Sequence, residues 1–224
     1  MIKPNIAVDG PAGAAKSTVA KKLAEKLGYS YIDTGAMYRA VAYCALEKGV
    51  NLDSPEELGR LVESMDLELN YDANGLTVLC NGVDITDKIR TQRVSQTVSV
   101  VAKVPAVRVR LVEMQRKMAA KGGVIMDGRD IGSYVLPDAQ LKLFITASLE
   151  QRTMRRLKEL EAQGCSLDFE ELKQEIKKRD TIDASREMAP LTKAEDAVLV
   201  DTTDLSIEEV TEHILNIYRQ RFGV

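Results

Sequence analysis

The chain has 224 residues, 45% hydrophobic and 29% charged, with 31 Lys and Arg against 34 Asp and Glu and a formal net charge of −3. That length supports one sizeable core with a small insert, and the composition excludes a fibrous or disordered chain. The near-balanced charge gives no overall positive field for nucleic acid or an anionic membrane, so any anionic ligand must be held by a local cluster of cations. The N-terminal MIKPNIAVDG lacks a signal-peptide core, and no apolar run reaches the ~18 residues of a membrane span. Cys44, Cys80 and Cys165 are widely spaced and form no C-x-x-C pair, so neither disulfides nor zinc are implied. His213 is the only histidine, and no G-x-S-x-G elbow accompanies it. The expectation is a reduced, cytoplasmic protein.

In chain order, an apolar run at Asn5–Asp9 leads through a glycine-rich loop into a helix over Lys16–Leu27 that stops at Gly28. A second run, Tyr29–Asp33, precedes a helix over Gly35–Lys48 that stops at Gly49. From Asp66 to Ile85 apolar and polar residues alternate around Asn74-Gly75 and Asn81-Gly82, the signal of antiparallel hairpins. A helix over Val107–Lys121 then ends at Gly122-Gly123, followed by runs at Val124–Asp127 and Leu141–Thr146. A helix over Ser148–Gln163 ends at Gly164; a last run, Ala197–Asp201, precedes a helix over Ile207–Arg221 with Asp204 and Ser206 as candidate N-caps. Strands alternating with helices predict an α/β fold with a parallel sheet. The runs finish on acidic residues or threonine, at the edge where open α/β sheets bind ligands.

The loop "DGPAGAAKST" after the first run nearly matches the phosphate-binding pattern G-x-x-x-x-G-K-[ST]. Gly10, Lys16 and Ser17 fit; Ala15 stands where the second glycine belongs. Strand, loop and helix follow in the right order, so the loop from Gly10 through Pro11, Ala12, Gly13, Ala14 and Ala15 to Lys16, Ser17 and Thr18 is expected around the phosphates of a nucleotide, its backbone N–H groups (Pro11 has none) pointing at them and the helix N-terminus behind. Lys16, at what reads as a solvent-facing helix start, adds a point charge, and Ser17 is placed to reach Mg2+. A left-handed Ala15 would cost about 1–2 kcal/mol, weakening the loop without abolishing it. The loop alone leaves open whether it is active or a lookalike.

Three further stretches bear on that question: "TGAMYR" at Thr34–Arg39, "DGRDIG" at Asp127–Gly132, and "KRDTIDASR" at Lys178–Arg186, where Arg179, Asp183 and Arg186 fall on one helix face. Singly, each also fits a capped helix, a solvated turn or a salt-bridged surface helix. Together with the loop and the hairpin segment they resemble the bacterial cytidylate kinases, a branch of the nucleoside monophosphate kinases, over essentially the whole chain. Ala15 is the one key position that departs from the pattern.

The resemblance implies a phosphate-loop nucleoside monophosphate kinase fold: a five-stranded parallel sheet flanked by helices, with a small antiparallel insert and a helical lid. It implies one kinase domain over residues 1–224, containing a monophosphate-binding insert at 62–103 and a lid at 152–180. The implied reaction moves the γ-phosphoryl group of ATP to CMP or dCMP, giving ADP and CDP or dCDP, with Mg2+ held by Ser17 and by Asp127 directly or through water. Lys16, Arg129, Arg155, Arg156, Arg179 and Arg186 are the implied catalytic cations. Thr34, Tyr38, Arg39, Ser99, Arg108, Arg129, Asp130, Asp183 and Arg186 are the implied acceptor residues, with Arg39, Arg129 and Arg186 on its phosphate and Asp183 on its sugar. Cytosine offers an amino donor at N4 and acceptors at N3 and O2, which Asp130 and the pair Ser99 and Arg108 would match; uracil would set O4 against Asp130. The implied partners are small nucleotides acting on a monomer, with no nucleic acid and no membrane. Two other readings stay open at this stage: another small-molecule kinase, such as an adenylate or shikimate kinase, and a nucleotide-binding protein silenced by Ala15.

Overall fold

The computed structural model describes residues 3–72, 75–162, 164–165 and 167–223. In order, the elements are β1 (Ile6–Asp9), α1 (Lys16–Leu27), β2 (Ser30–Asp33), α2 (Thr34–Glu47), α3 (Pro55–Glu63), β3 (Leu67–Asp72), β4 (Gly75–Cys80) and β5 (Val83–Asp84). They continue with α4 (Gln92–Val101), α5 (Pro105–Ala119), β6 (Val124–Asp127), β7 (Leu141–Thr146), α6 (Leu149–Ala162), α7 (Phe169–Ala184), β8 (Val198–Asp201) and α8 (Ile207–Phe222). A five-stranded parallel sheet runs β2-β6-β1-β7-β8, and a three-stranded sheet runs β3-β4-β5. The chain divides into two compact units, residues 1–29 with 123–224, and residues 30–122.

In the first unit β1 is central, in register with β6 (Ile6 opposite Ile125) and with β7 (Ile6 opposite Leu141). Ile6, Ala7 and Val8 are fully buried, as a parallel strand covered on both faces requires. α1 buries Val19, Ala20, Leu23 and Ala24, one helical face, and ends on left-handed Gly28, whose N–H returns to Ala24 O and Glu25 O. α8 starts at Ser206 with a reciprocal capping box to Glu209. α6 and α7 share a small apolar cluster of their own, Leu160, Leu172 and Ile176, with Leu149, Leu157 and Leu167 beside it.

In the second unit α2 is apolar on nearly all sides; Met37, Val41 and Ala45 pack in one cluster with Leu58, Val62, Leu67, Val78, Val94, Val98 and Leu111. The expected hairpin at Asn81-Gly82 is present: both residues have positive φ, 50° and 75°, and Cys80 lies opposite Val83, the geometry of a primed turn. Asn74 lies outside the described residues, but the strands it was expected to join pair antiparallel from Leu67 opposite Cys80 to Asp72 opposite Gly75.

Three helices were not anticipated as such. α3 begins at Ser54, which accepts from Glu57 N with Pro55 at the first helical position, and α4 begins at Thr91, which accepts from Val94 N. α7 was visible only as its last turns, and it ends at Ala184, so Arg186 sits past the helix rather than on the face of Arg179 and Asp183.

Candidate active site

The loop leaving β1 is shaped by backbone conformations that side chains exclude. Gly10 has φ 144°, and a Cβ there would lie 1.9 Å from Ile145 O, a backbone atom. Gly13 has φ 75°, and its Cβ would meet Arg152 O at 2.9 Å. Ala15 is left-handed, φ 64° and ψ 15°, and stands at the N-cap of α1 without any side-chain cap. The glycine it replaces was therefore needed for its φ, and alanine holds the same conformation at a strain of about 1–2 kcal/mol.

Lys16 is not solvent-facing as its position at the helix start suggested: it is 5% exposed, and its Nζ donates to Pro11 O at 2.6 Å across the loop. Burial, reinforced by the charge of Arg129 and Arg179, drives its pKa well below that of a free lysine, with Asp127 and Asp9 pulling the other way. A buried cation whose charge is disfavoured by burial and by cationic neighbours is stabilised by an anion brought to it. Ser17, on the first turn of α1, donates from Oγ to Asp127 Oδ2 at 2.7 Å, which brings the two expected Mg2+ residues together.

The loop after β6 is held from two sides. Arg129 Nε donates to Asp183 Oδ2 at 2.9 Å, and Arg186 pairs with Asp183 Oδ1 from the turn after α7. Burial resists the Asp183 charge, but Arg129, Arg186 and Arg179 outweigh it and hold its carboxyl below the usual range. Beyond buried Asp130, Ile131 N and Gly132 N both donate to Asp9, at 2.7 Å each. Burial pushes the Asp9 carboxyl up to about 7 while those two amides pull it down.

The remaining expected cations have different settings. Arg155, on α6, donates to Thr202 Oγ1 and Thr202 O, at the end of β8, at 2.9 and 2.5 Å. Arg156 pairs with Glu159 at 2.9 Å on the same helix. Arg152 was expected only as the first residue of a lid segment. It is 8% exposed, and it donates to Ala12 O in the phosphate loop (3.1 Å), to Ala147 O (3.0 Å) and to Asp180 (2.6 Å). No spacing rule points to Arg152 or to Asp9, because their partners are distant in sequence.

In the second unit, Asp33 caps α2 by accepting from Ala36 N at 2.8 Å and pairs with Arg39 at 3.0 Å. Arg39 Nε is buried and has no hydrogen-bond partner among the described residues. Thr34, buried, opens α2. Tyr38 lies under the Arg108 guanidinium at 5.7 Å, and Arg108, 1% exposed, also donates to Ala102 O at 3.3 Å. Ser99 is half-buried on α4. Among the described residues no helix is long and apolar enough to cross a membrane.

Comparison with known proteins bears on the family and the fold. The family model for cytidylate kinase matches residues 6–220. A cytidylate kinase of Anoxybacillus flavithermus is 52% identical over 98% of this chain and 97% of its own length. One from Bacillus subtilis is 50% identical over 98% of both. Among solved structures, a shikimate kinase from Bacteroides thetaiotaomicron superposes with a TM-score of 0.52 at 14% identity, covering 96% of this chain and 98% of that one. A shikimate kinase from Acinetobacter baumannii in complex with shikimate gives 0.50 at 15%, covering 98% and 95%. At those identities the likeness is one of fold. The full-length match and the close relatives lead to one conclusion: the chain belongs to the cytidylate kinase family.

Proposed function

We propose that this chain transfers the γ-phosphoryl group of ATP to CMP or dCMP, with loop 10–18 on the phosphates of ATP and Asp130 on the amino group of cytosine. The observation that carries the reading is the phosphate loop itself: a glycine-built turn with a buried lysine across it, cations around that lysine, and a hydroxyl–carboxylate pair at its helix start. Phosphoryl transfer asks for positioning and neutralisation of spread charge rather than for a general base. Lys16, Arg129 and Arg179 are the charges already gathered there, and Arg suits two-pronged contacts with phosphate.

Ser17 and Asp127 fit Mg2+, which takes hard oxygens and keeps waters and substrate phosphates for its other positions. Among the described residues no group of three or more His, Cys, Asp or Glu gathers to cage a metal, which suits an ion delivered with ATP. When bound, Mg2+ neutralises charge on the β- and γ-phosphates. The protein's own part is to fix that pair at the N-terminus of α1. For the acceptor, Arg39 brings a buried donor still unused, Arg129 and Arg186 lie together on Asp183, and Arg108 and Ser99 supply donors for O2 and N3 of the base. Arg156, on α6 of the proposed lid 152–180, is half-buried with one exposed carboxylate partner, so it is able to exchange Glu159 for a phosphate. Ala15 does not favour a silenced loop, since the left-handed conformation is kept.

An ADP-release assay with ATP·Mg2+ and a panel of CMP, dCMP, UMP, AMP and shikimate tests the reading. CMP and dCMP are expected to be the best acceptors by a wide margin. Equal turnover of UMP, a preference for AMP or shikimate, or nucleotide binding with no ADP formed would overturn it.

A further inference from the structure

Asp9 stands at the end of β1, immediately before Gly10, and is not itself one of the proposed acceptor residues, although its carboxylate lies within electrostatic reach of Asp130. Its carboxylate is 4% exposed and is spent entirely on another segment: Oδ1 takes Ile131 N and Oδ2 takes Gly132 N, both at 2.7 Å. Gly128 N donates to Val8 O at 2.9 Å, so the same strand end grips that segment at a second place. Between the two grips lie Arg129, drawn to Asp183, and Asp130, whose carbonyl accepts from Tyr134 N and Val135 N at 2.9 and 3.0 Å. The fit is close. A Cβ on Gly132 would come within 3.1 Å of the Lys142 stem and 3.4 Å of Asp9 Oδ2.

We infer that Asp9 is a positioning residue for acceptor recognition: by holding the amides of Ile131 and Gly132 it fixes where Asp130 presents its carboxylate and where Arg129 presents its guanidinium. The inference rests on the reading of Asp130 and Arg129 as acceptor contacts. It follows from donor count. A carboxylate has two acceptor oxygens and meets two N–H groups; an amide of the same shape has one acceptor and would turn its NH2 against the other N–H. Burial leaves no water to replace the lost bond. The segment would then be held at one amide instead of two, with Asp130 adjoining the freed end. A residue that belongs by sequence to the donor's loop thus governs the acceptor.

Asp9→Asn and Gly132→Ala, each compared with the unaltered chain, test this. Asp9 also lies within electrostatic reach of Lys16 and of Asp130, so Asp9→Asn removes a charge beside both. Gly132→Ala leaves that charge in place and crowds the same segment against the Lys142 stem, while its contact with Asp9 Oδ2 stays at ordinary packing distance. Asp9→Asn is expected to raise KM for CMP about tenfold or more and to narrow the CMP-over-UMP preference at least fivefold, while KM for ATP moves less than threefold. Gly132→Ala is expected to move the first two the same way by about threefold, with KM for ATP unchanged. If Asp9→Asn does not fold, Gly132→Ala carries the same test. Folded variants with unchanged CMP KM and unchanged preference would overturn the inference, as would KM values for ATP and CMP that rise together, the mark of a merely structural role. Failure of the unaltered chain to prefer CMP would instead overturn the reading beneath it, and is seen before any variant is made.

Discussion

Two loops leave the carboxyl ends of the paired strands β1 and β6, and they are built on opposite principles. Loop 10–15 takes its shape from backbone: Gly10, Gly13 and Ala15 all carry positive φ, and its lysine is held by the carbonyl of Pro11. Loop 128–132 takes its shape from charge: Arg129 on Asp183, and two amides on Asp9. The first should fail when side-chain bulk is added, the second when a charge is removed. Backbone-built cradles expose N–H groups to whatever anion arrives, whereas charge-built loops set particular side chains for a particular partner.

The largest break in the comparison is expected from Asp183→Ala. It leaves Arg129 and Arg186, 18% and 7% exposed at their side chains, without their shared carboxylate, and loss of such a partner costs about 3–5 kcal/mol. Because the Asp183 carboxyl is held below its ordinary value, that stabilisation is present above the unfolded pKa of about 4 and fades as pH falls through the lower folded value. Denaturant midpoints for the chain and the variant should therefore differ at pH 7 and converge in acid. A constant difference would remove charge as the organising force of this loop.

Lys16→Ala is next, and it acts on chemistry rather than on folding. Loss of the point charge should lower kcat by about two to three orders of magnitude. Thermal unfolding should stay cooperative with no loss of midpoint, since a buried lysine beside Arg129 and Arg179 is itself costly to hold. A marked fall in stability would mean that the lysine, not the backbone, builds the loop.

Gly10→Ala tests the backbone side directly. Its Cβ would overlap Ile145 O, a backbone atom unable to step aside, so a loss of about 2–3 kcal/mol is expected, read as a lowered denaturant midpoint. A variant as stable as the original would show that the loop has another shape available.

Ala15→Gly is the smallest change. Relief of about 1–2 kcal/mol of left-handed strain is offset by roughly 0.5–1 kcal/mol of added unfolded-state freedom, so stability should shift by no more than about 1 kcal/mol. Removing the methyl from the phosphate side should lower KM for ATP about three- to tenfold with KM for CMP unchanged. No detectable ATP use by the Ala15 form would revive the silenced-loop reading.

What the sequence determined by itself was whatever is encoded within a few residues. The strand–loop–helix order around Gly10 and Lys16, the Asn81-Gly82 turn and the Ser206 cap all rest on φ preferences or on side-chain-to-backbone bonds spanning three residues or fewer. The family's motifs were legible for the same reason. Tertiary structure alone decided the rest. Lys16 sits at a helix start that reads as exposed, yet packing buries it; Arg155, expected as a phosphate cation, donates to Thr202, 47 positions on. Arg129 meets Asp183 across 54 positions and Asp9 meets Ile131 across 122. Such pairs carry no periodicity and no spacing signature. They exist only because the parallel sheet brings strand ends together, and that sheet is a product of the whole chain.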